Sequence, residues 1–500
     1  MARTECSPKS SRATRREPPS AGALFLTASQ GAVLVAGATV HIGGARLLSP
    51  EWYGRLVVVW LVLSWTKVVA SSAVLPGLEK AVSEDERRLH AALSLASRWY
   101  LMAVVLLTAA LLGVAMASEW LFQDPRMKGL LALVALHVPL VASIKMGQRL
   151  LGGACRFRAA SLITGTYAGL GAVGVLVALV AGFGAYGAVT ALLVAAAVGA
   201  VLAFYLILRE RAALPRVKCP DLARRTAYWT SISLPQMLVV GTLSTIGVWL
   251  VKGLVADPNA AGFYGVAYSV SHLPSFVVFG INAAIYPSIS GALARGRDDT
   301  ARDISQQAFR CLVIVFAPIC AFTVGNAGEI LVFLFGTPYA AGAGSLTLLA
   351  PAVLLSALSR TGLRMVLATD RPGLRLGVDT FLLILGIGLH LLLIPRWGIE
   401  GAAAAYLLTG GVAAMLGLSL ALYYLGTSLP LATLFRCGTG GAVVFTAGVF
   451  WPTNGMAIFA KIAIVSAAYL LTLVVLGEVG KDDFALIKNR LWTALLATDK

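Results

Sequence analysis

The chain has 500 residues, of which 58% are hydrophobic and only 13% are charged. Soluble domains carry about a quarter charged residues, so this composition excludes a water-soluble protein and is typical of one that folds in lipid. The net charge of +17 needs no nucleic-acid partner, because basic residues on the cytoplasmic side of a membrane protein account for it.

Apolar stretches of span length recur along the whole chain. A helix needs roughly 20 such residues to cross the hydrocarbon core, and lipid offers no partner to an unpaired backbone group, so each stretch must be helical. The first stretch is long and is followed by others, which favours a retained helix over a cleaved signal. The fourteen predicted spans are 22–44, 54–77, 98–118, 128–147, 160–181, 184–207, 228–253, 262–284, 309–334, 344–363, 374–394, 399–424, 435–452 and 457–477.

Lysine and arginine set the predicted orientation, because cytoplasmic connections are enriched in both. Most of the 40 basic residues fall in segments that we assign to the cytoplasm. We therefore expect a multi-pass protein of the cell inner membrane with both termini in the cytoplasm. Only seven basic residues are assigned to the outer side, namely Arg46, Arg55, Arg126, Lys128, Lys252, Arg396 and Lys461.

Two halves of six spans each resemble one another. The tripeptide Trp-Tyr-Gly that ends at Gly54 recurs as Phe-Tyr-Gly ending at Gly265, and the glycine turn at Gly184 recurs at Gly398. An even number of spans makes the repeats parallel, with a pseudo-two-fold axis along the membrane normal and a cleft between them. The predicted units are a cytoplasmic tail at 1–21, an N-lobe at 22–210, a cytoplasmic linker at 211–227, a C-lobe at 228–424, spans 13 and 14 at 425–480 and a second cytoplasmic tail at 481–500.

Five stretches resemble one family. They are Leu47–Gly54, Ala261–Tyr268, Tyr286–Ser290, Leu334–Tyr339 and Leu393–Ala403. In order and spacing they are similar to the polysaccharide-export branch of the MATE-like superfamily, which also holds multidrug and toxin extruders and lipid II flippases. The resemblance implies two MATE-like lobes around a central cleft, and a substrate that is a lipid-linked oligosaccharide.

The chain departs from the family pattern at two places. Members often carry an aspartate in span 7, whereas the stretch Thr245–Trp249 holds no acid. Members often carry an asparagine before the Ile-Pro motif, where this chain has His390.

Lys67 lies about eleven residues from either end of the predicted second span. An ammonium at that depth costs at least ~3 kcal/mol, so we expect it to face a hydrated cavity or a counter-charge. The alternatives are a misplaced span boundary and a lysine directed at a neighbouring helix terminus.

Two pairs of basic residues lie at equivalent inner ends of spans 4 and 10. Lys145 and Arg149 form one pair, and Arg360 and Arg364 form the other. The i, i+4 spacing places each pair on one helix face, where guanidinium groups could bind the phosphates of a lipid headgroup. The competing interpretation is that cytoplasmic helix ends collect basic residues for topology alone.

The acids deepest in the predicted spans are Asp379 in span 11 and Glu329 in span 9. Either could bind Na⁺ or H⁺ for coupled transport. No cofactor or metal site is otherwise expected, since none of the cysteines has metal-ligand spacing.

The leading hypothesis is a flippase that moves an undecaprenyl-diphosphate-linked oligosaccharide, a unit of O-antigen, exopolysaccharide or capsule, by alternating access. Expected partners are membrane lipids and the glycan polymerase and glycosyltransferases of the same pathway. Span tryptophans such as Trp60, Trp65 and Trp249 could stack on sugars. The alternatives are a cation-coupled multidrug antiporter, which would need acids in the cleft, and a membrane-embedded glycan polymerase or ligase, which would need a catalytic cluster on a long outer loop.

Overall fold

The computed structural model describes residues 19–72, 75–212, 219, 221–293, 295–369, 371–427, 431–453 and 455–478. Most of the predicted tail at 1–21 and all of the tail at 481–500 lie outside these ranges. Within them every regular element is a helix and no β-strand occurs. The predicted all-α membrane fold is confirmed.

The helices of the first lobe are α1 Pro19–Leu47, α2 Pro50–Ser72, α3 Leu75–Glu84, α4 Leu89–Leu95, α5 Leu101–Met116, α6 Ser118–Phe122, α7 Met127–Gly153, α8 Phe157–Val180 and α9 Gly184–Ala212. The helices of the second lobe are α10 Leu222–Leu254, α11 Ala260–His272, α12 Ser275–Leu293, α13 Asp298–Gly325, α14 Ala327–Phe335, α15 Ala343–Leu367 and α16 Pro372–Leu425. A final hairpin consists of α17 Leu431–Phe450 and α18 Ala457–Val475.

Eleven helices within the described residues are long and apolar enough to cross a membrane. One of them, Gly373–Leu425, is two spans, because Gly398 has φ 55° and ψ −130° and breaks the helix there. Such a left-handed backbone suits glycine, which has no Cβ to clash. The helix α1 and the consecutive pair α11 and α12 account for the remaining predicted spans.

Three predicted spans are not single helices in the structure. The second prediction, 54–77, runs from α2, which ends at Ser72, into α3, which continues to Glu84. The eighth is divided into α11 and α12 around Pro274, whose ring removes a backbone donor. The ninth is divided at Asn326, so Glu329 belongs to the separate short helix α14. Hydropathy reports apolar length and is insensitive to a break inside an apolar stretch.

The two lobes repeat the same packing. In the first lobe α7 packs against α2, α3 and α5, and α8 packs against α1. In the second lobe α15 packs against α11, α12 and α13, and the first half of α16 packs against α10. The hairpin of α17 and α18 is attached to α13, outside the repeat. The structure is therefore two six-span lobes with two appended helices.

The contact between the lobes is one-sided. Along one side, α2 and α3 pack against α10 and α11. On the other side, α1 makes only few contacts with α11 and α14. This leaves a space between the lobes, closed at the end where α2 and α11 begin. We call this the outer end, following the orientation that the loop charges predict.

Candidate transport cavity and its charges

A cavity of about 520 Å³ lies between α1, α2 and α8 of the first lobe and α11 and α14 of the second. Most of its lining is apolar or aromatic, with a few polar side chains that include His41, Lys67, Ser269 and His272. None of the described residues that line it carries a carboxylate. The cavity is thus a mostly apolar space with a positive charge in its wall.

Lys67 supplies that charge. It lies 17 residues into α2, about 25 Å along the helix from its outer end. Its ammonium is 5.1 Å from the centre of the Tyr167 ring of α8, which is a cation–π distance. Within the described part of the chain it has no acidic partner. The face of an aromatic ring offsets only part of the free energy that is lost when an ammonium leaves water. Lys67 therefore remains available to an anion.

Of the three tryptophans considered above, Trp60 lines the cavity and its indole Nε1 is buried without a hydrogen-bond partner. Trp65 and Trp249 pack edge to face on one another, with ring centres 6.4 Å apart, where α2 meets α10. They hold the lobes together and do not line the cavity. Trp60 is therefore the tryptophan placed to contact a ligand.

The two residues of the first predicted basic pair, Lys145 and Arg149, have different partners. The charge of Lys67 acts on Lys145, so the two side chains share one region of the first lobe. Lys145 donates to Oε1 of Gln148 at 3.0 Å and has no acidic partner among the described residues. Arg149 instead forms an ion pair with Glu79 of α3 at 2.8 Å. Half of this pair is thus neutralised by a neighbouring helix.

The second pair lies on α15 of the second lobe. Arg360 is exposed, and Arg364 donates to the backbone carbonyl of Asn282 at 3.3 Å. Both line a separate cavity of about 250 Å³, together with Arg375 and Asp379 of α16. The Nε of Arg375 lies 3.6 Å from Oδ2 of Asp379. The structure therefore adds a third arginine to this pair and gives Asp379 a cationic partner.

Glu329 lines neither cavity and lies where α14 meets the final hairpin. Its carboxylate accepts from Nζ of Lys461 at 3.2 Å and from the backbone N–H and the hydroxyl of Thr453. Lys461 is fully buried and also donates to the carbonyl of Gly448. These partners explain Glu329 as an anchor of the hairpin. Its role in ion coupling stays a prediction.

An ionic cluster closes the outer end of the cleft. Lys252, at the end of α10, forms an ion pair with Asp124 of the first lobe at 3.0 Å. Arg55 of α2 donates to the same carboxylate at 2.7 Å and also pairs with Glu51. Burial alone would raise the pKa of Asp124, but hydrogen bonds from Arg55 and Lys252 outweigh it and lower that pKa. The carboxylate is therefore charged at neutral pH and joins the two lobes.

Two further contacts join the lobes at the same end. A Cβ built on Gly54 would lie 2.7 Å from the backbone nitrogen of Gly262, and one built on Gly262 would lie 2.2 Å from the carbonyl oxygen of Pro50. Only glycine permits α2 and α11 to cross this closely. Arg46 of α1 donates to carbonyls at the C-terminal end of α14, including that of Leu334 at 2.8 Å. The structure is thus closed at its outer end.

The two departures from the family pattern meet in the second lobe. His390 of α16 lies against Gly247 of α10, where an added Cβ would be 2.8 Å from its Nε2. Its Nδ1 lies 2.7 Å from the carbonyl of Gly386. The space that a larger residue in α10 would occupy is filled by the imidazole.

Several residues of these sites were not predicted from the sequence. Tyr167 carried no signal, since an aromatic residue in a span is usually structural. Arg375 could have been found, because it stands four residues before Asp379 at the beginning of an apolar span. Lys252 and Asp124 are 128 positions apart, and nothing local links them.

The fold is that of a known class of membrane transporter. The chain is similar to an inward-closed structure of the lipid II flippase MurJ, with a TM-score of 0.71, 13% identity, and coverage of 91% of this chain and 98% of that one. It is similar to an inward-facing multidrug resistance MATE family transporter of the MOP superfamily, with a TM-score of 0.66, 15% identity, and coverage of 81% and 98%. It is also similar to an outward-facing multidrug resistance MATE family transporter of the MOP superfamily, with a TM-score of 0.56, 15% identity, and coverage of 84% of this chain and 99% of that one.

The sequence places the chain more narrowly. The profile of the polysaccharide biosynthesis protein family matches residues 45–343, which is more than half of the chain. The chain therefore belongs to this family, and it is a multi-pass membrane protein with a MATE-like fold. No curated protein matches the sequence.

Proposed function

We propose that the protein is a flippase that translocates an undecaprenyl-diphosphate-linked oligosaccharide across the inner membrane, with both of its own termini in the cytoplasm. The observation that carries the proposal is the position of Lys67, a cation without a carboxylate partner among the described residues, in the wall of the cavity between two lobes. Membership in a polysaccharide biosynthesis family supports a glycan as the cargo.

The charges suit an anionic headgroup. Lys67 and Lys145 in the first lobe and Arg360 in the second are cations with no acidic partner within the described residues. A diphosphate carries at least two negative charges, and each would gain a charge-assisted hydrogen bond on leaving water. The lipid tail can remain in the bilayer while the headgroup occupies the cavity. Closing the inner end and opening the outer ionic cluster would complete the transfer.

The lining of the cavity argues against the two alternatives. A cationic drug would need carboxylates there, and the described lining residues provide a lysine instead. A glycan polymerase or ligase would need a catalytic cluster at the outer end. The charged residues in the outer cluster, including Asp124 and Lys252, pair with each other and close the lobes.

Energy coupling remains part of the proposal. Of the two acids considered for Na⁺ or H⁺, Glu329 is held by Lys461, and Asp379 lies beside Arg375. Only Asp379 is near the cationic groups that would contact the headgroup.

Replacement of Lys67 by Ala or Met tests the proposal. We expect export of the surface glycan to fall at least about tenfold, because one charge-assisted contact with the headgroup is lost. The lipid-linked precursor should accumulate while the amount of inserted protein is unchanged. Lys67→Arg should retain part of the activity. Lys128→Ala, at an exposed outer position, is the matched control and should export normally. Normal export by both Lys67→Ala and Lys67→Met would refute the proposed function.

A further inference from the structure

The cavity inside the second lobe has an unusual set of charges. It measures about 250 Å³ and lies among α10, α12, α15 and α16. Among its described lining residues, Arg360, Arg364 and Arg375 supply three guanidinium groups, and Asp379 supplies the one carboxylate. Among the described lining residues no second carboxylate offsets this excess of positive charge.

Several polar atoms of this cavity are incompletely satisfied. The Nε of Arg375 and the Oδ2 of Asp379 are 3.6 Å apart, which is an ion-pair distance but too long for a hydrogen bond. Both atoms are buried and lack a hydrogen-bond partner, as does Oδ1 of Asn282, a residue that is 93% buried in the cavity wall. Buried polar groups of this kind usually have partners, so their grouping here indicates a ligand.

The chemistry of the lining selects the class of ligand. A metal cation would face three guanidinium groups and one carboxylate that Arg375 already occupies. An anion of two or more charges would match the excess, and planar guanidinium groups bind phosphate oxygens in a bidentate manner. The amide of Asn282 can rotate to present its NH₂ group to the same oxygens.

This cavity adjoins the one between the lobes. His272 lines the interlobe cavity, and its Nε2 lies 3.2 Å from the hydroxyl of Tyr406, which lines the cavity of the second lobe. The charge of Arg360 acts on His272 and on Tyr268 in the same wall. A headgroup in the interlobe cavity is thus separated from the arginines by a thin aromatic wall.

From these contacts we infer that the cavity of the second lobe is a diphosphate site, in which Asp379 is a competing partner that holds Arg375 until the phosphate arrives and reclaims it on release. The inference rests on the proposed function, since the diphosphate would be that of the lipid-linked glycan. It assigns Asp379 a positioning role in place of the cation site considered above.

Binding of inorganic diphosphate to the full-length protein in detergent, followed by its thermal midpoint in Mg²⁺-free buffer, tests the site. Arg375→Gln should bind diphosphate at least about tenfold more weakly than the unaltered protein. Asp379→Asn should bind it about threefold or more tightly, because the competing carboxylate is gone, and should transport more slowly, because release is impaired. Arg371→Gln, a basic residue at the start of the same helix that stacks on Tyr424, is the matched control.

The outcomes separate the site from the function. Equal affinity in Arg375→Gln and Arg371→Gln, or stabilisation by Na⁺ over K⁺ that Asp379→Asn abolishes, would overturn the diphosphate site and leave the flippase proposal intact. Undecaprenyl diphosphate in micelles should compete with inorganic diphosphate. If it does not, the source of the diphosphate is not the lipid, and the inference fails as stated. If Lys67→Ala and Lys67→Met both export normally while Arg375→Gln loses diphosphate binding, the proposed function fails and the anion site remains.

Discussion

The ion pair between Lys252 and Asp124 should control how often the outer end opens. At 3.0 Å and an effective dielectric constant of about 20, two unit charges attract by about 5 kcal/mol. Both side chains are only 8% exposed, so desolvation offsets more than half of this attraction and leaves about 2 kcal/mol. Lys252→Gln should therefore raise the population open to the outside about 30-fold.

Labelling of a cysteine inside the cavity measures that population. Ser269→Cys, in a background without the six native cysteines, places a thiol in the cavity wall. An impermeant maleimide added outside intact cells can reach it only when the outer end opens, so the labelling rate follows the open population. Lys252→Gln should label about 30-fold faster than the parent. Arg126→Gln, whose side chain is 57% exposed and 4.0 Å from Glu51, should change the rate less than about twofold.

A second variant shows whether faster labelling of Lys252→Gln comes from loss of the ion pair or from misfolding. The pH dependence of labelling tests whether the charge of Asp124 is responsible. Asp124→Asn leaves Arg55 paired with Glu51 and should accelerate labelling in the same direction, with little further gain when combined with Lys252→Gln. The lowered pKa of Asp124 means that the pair contributes above the carboxyl's unfolded pKa and is lost only as pH falls through the lowered value. The ratio of variant to parent rates should thus be constant from about pH 5 to pH 8. Labelling of Lys252→Gln at the parent rate would refute the reasoning.

Two further predictions concern the crossing of α2 and α11 and the ion pair that anchors the final hairpin. Gly262→Ala would place a methyl group 2.2 Å from the Pro50 carbonyl oxygen, so α2 and α11 must separate and the same outer labelling should accelerate. Gly388→Ala, which has nothing within 4 Å, should not alter the rate, and equal rates in the two variants would contradict the crossing as a seal. Glu329→Gln should lower the thermal midpoint of the detergent-solubilised protein, because the fully buried Lys461 loses its carboxylate at a cost of roughly 3 kcal/mol. An unchanged midpoint would show that Glu329 does not anchor the hairpin.

The tripeptide that repeats in the two halves of the sequence lies at the contact between the lobes. The matched tripeptides ending at Gly54 and Gly265 lie at the outer ends of α2 and α11, the two helices that cross. A Cβ on Gly265 would lie 2.8 Å from a methyl of Val57, just as one on Gly54 would lie against Gly262. The motif that recurs in both halves thus lies on the two helices that meet between the lobes, because a pseudo-two-fold axis brings equivalent positions together.

The sequence by itself determined the solvent, the fold class and the parallel repeat. The length of an apolar stretch decides whether it can span the bilayer, and the distribution of lysine and arginine between loops favours one orientation. These features therefore follow from residue order alone. It also singled out Lys67, since a charge far inside an apolar stretch is costly wherever the helix is placed.

Only the tertiary structure decided which charges remain available. Arg149 is neutralised by Glu79, Arg375 lies beside Asp379, and Lys67 has a tyrosine ring in place of a carboxylate. Ion pairs depend on distances of a few ångströms between helices that are far apart in the chain, and hydropathy contains no such distance. The closed outer end likewise arises from the crossing of α2 and α11 and from a lysine and an aspartate that meet only once the lobes have packed.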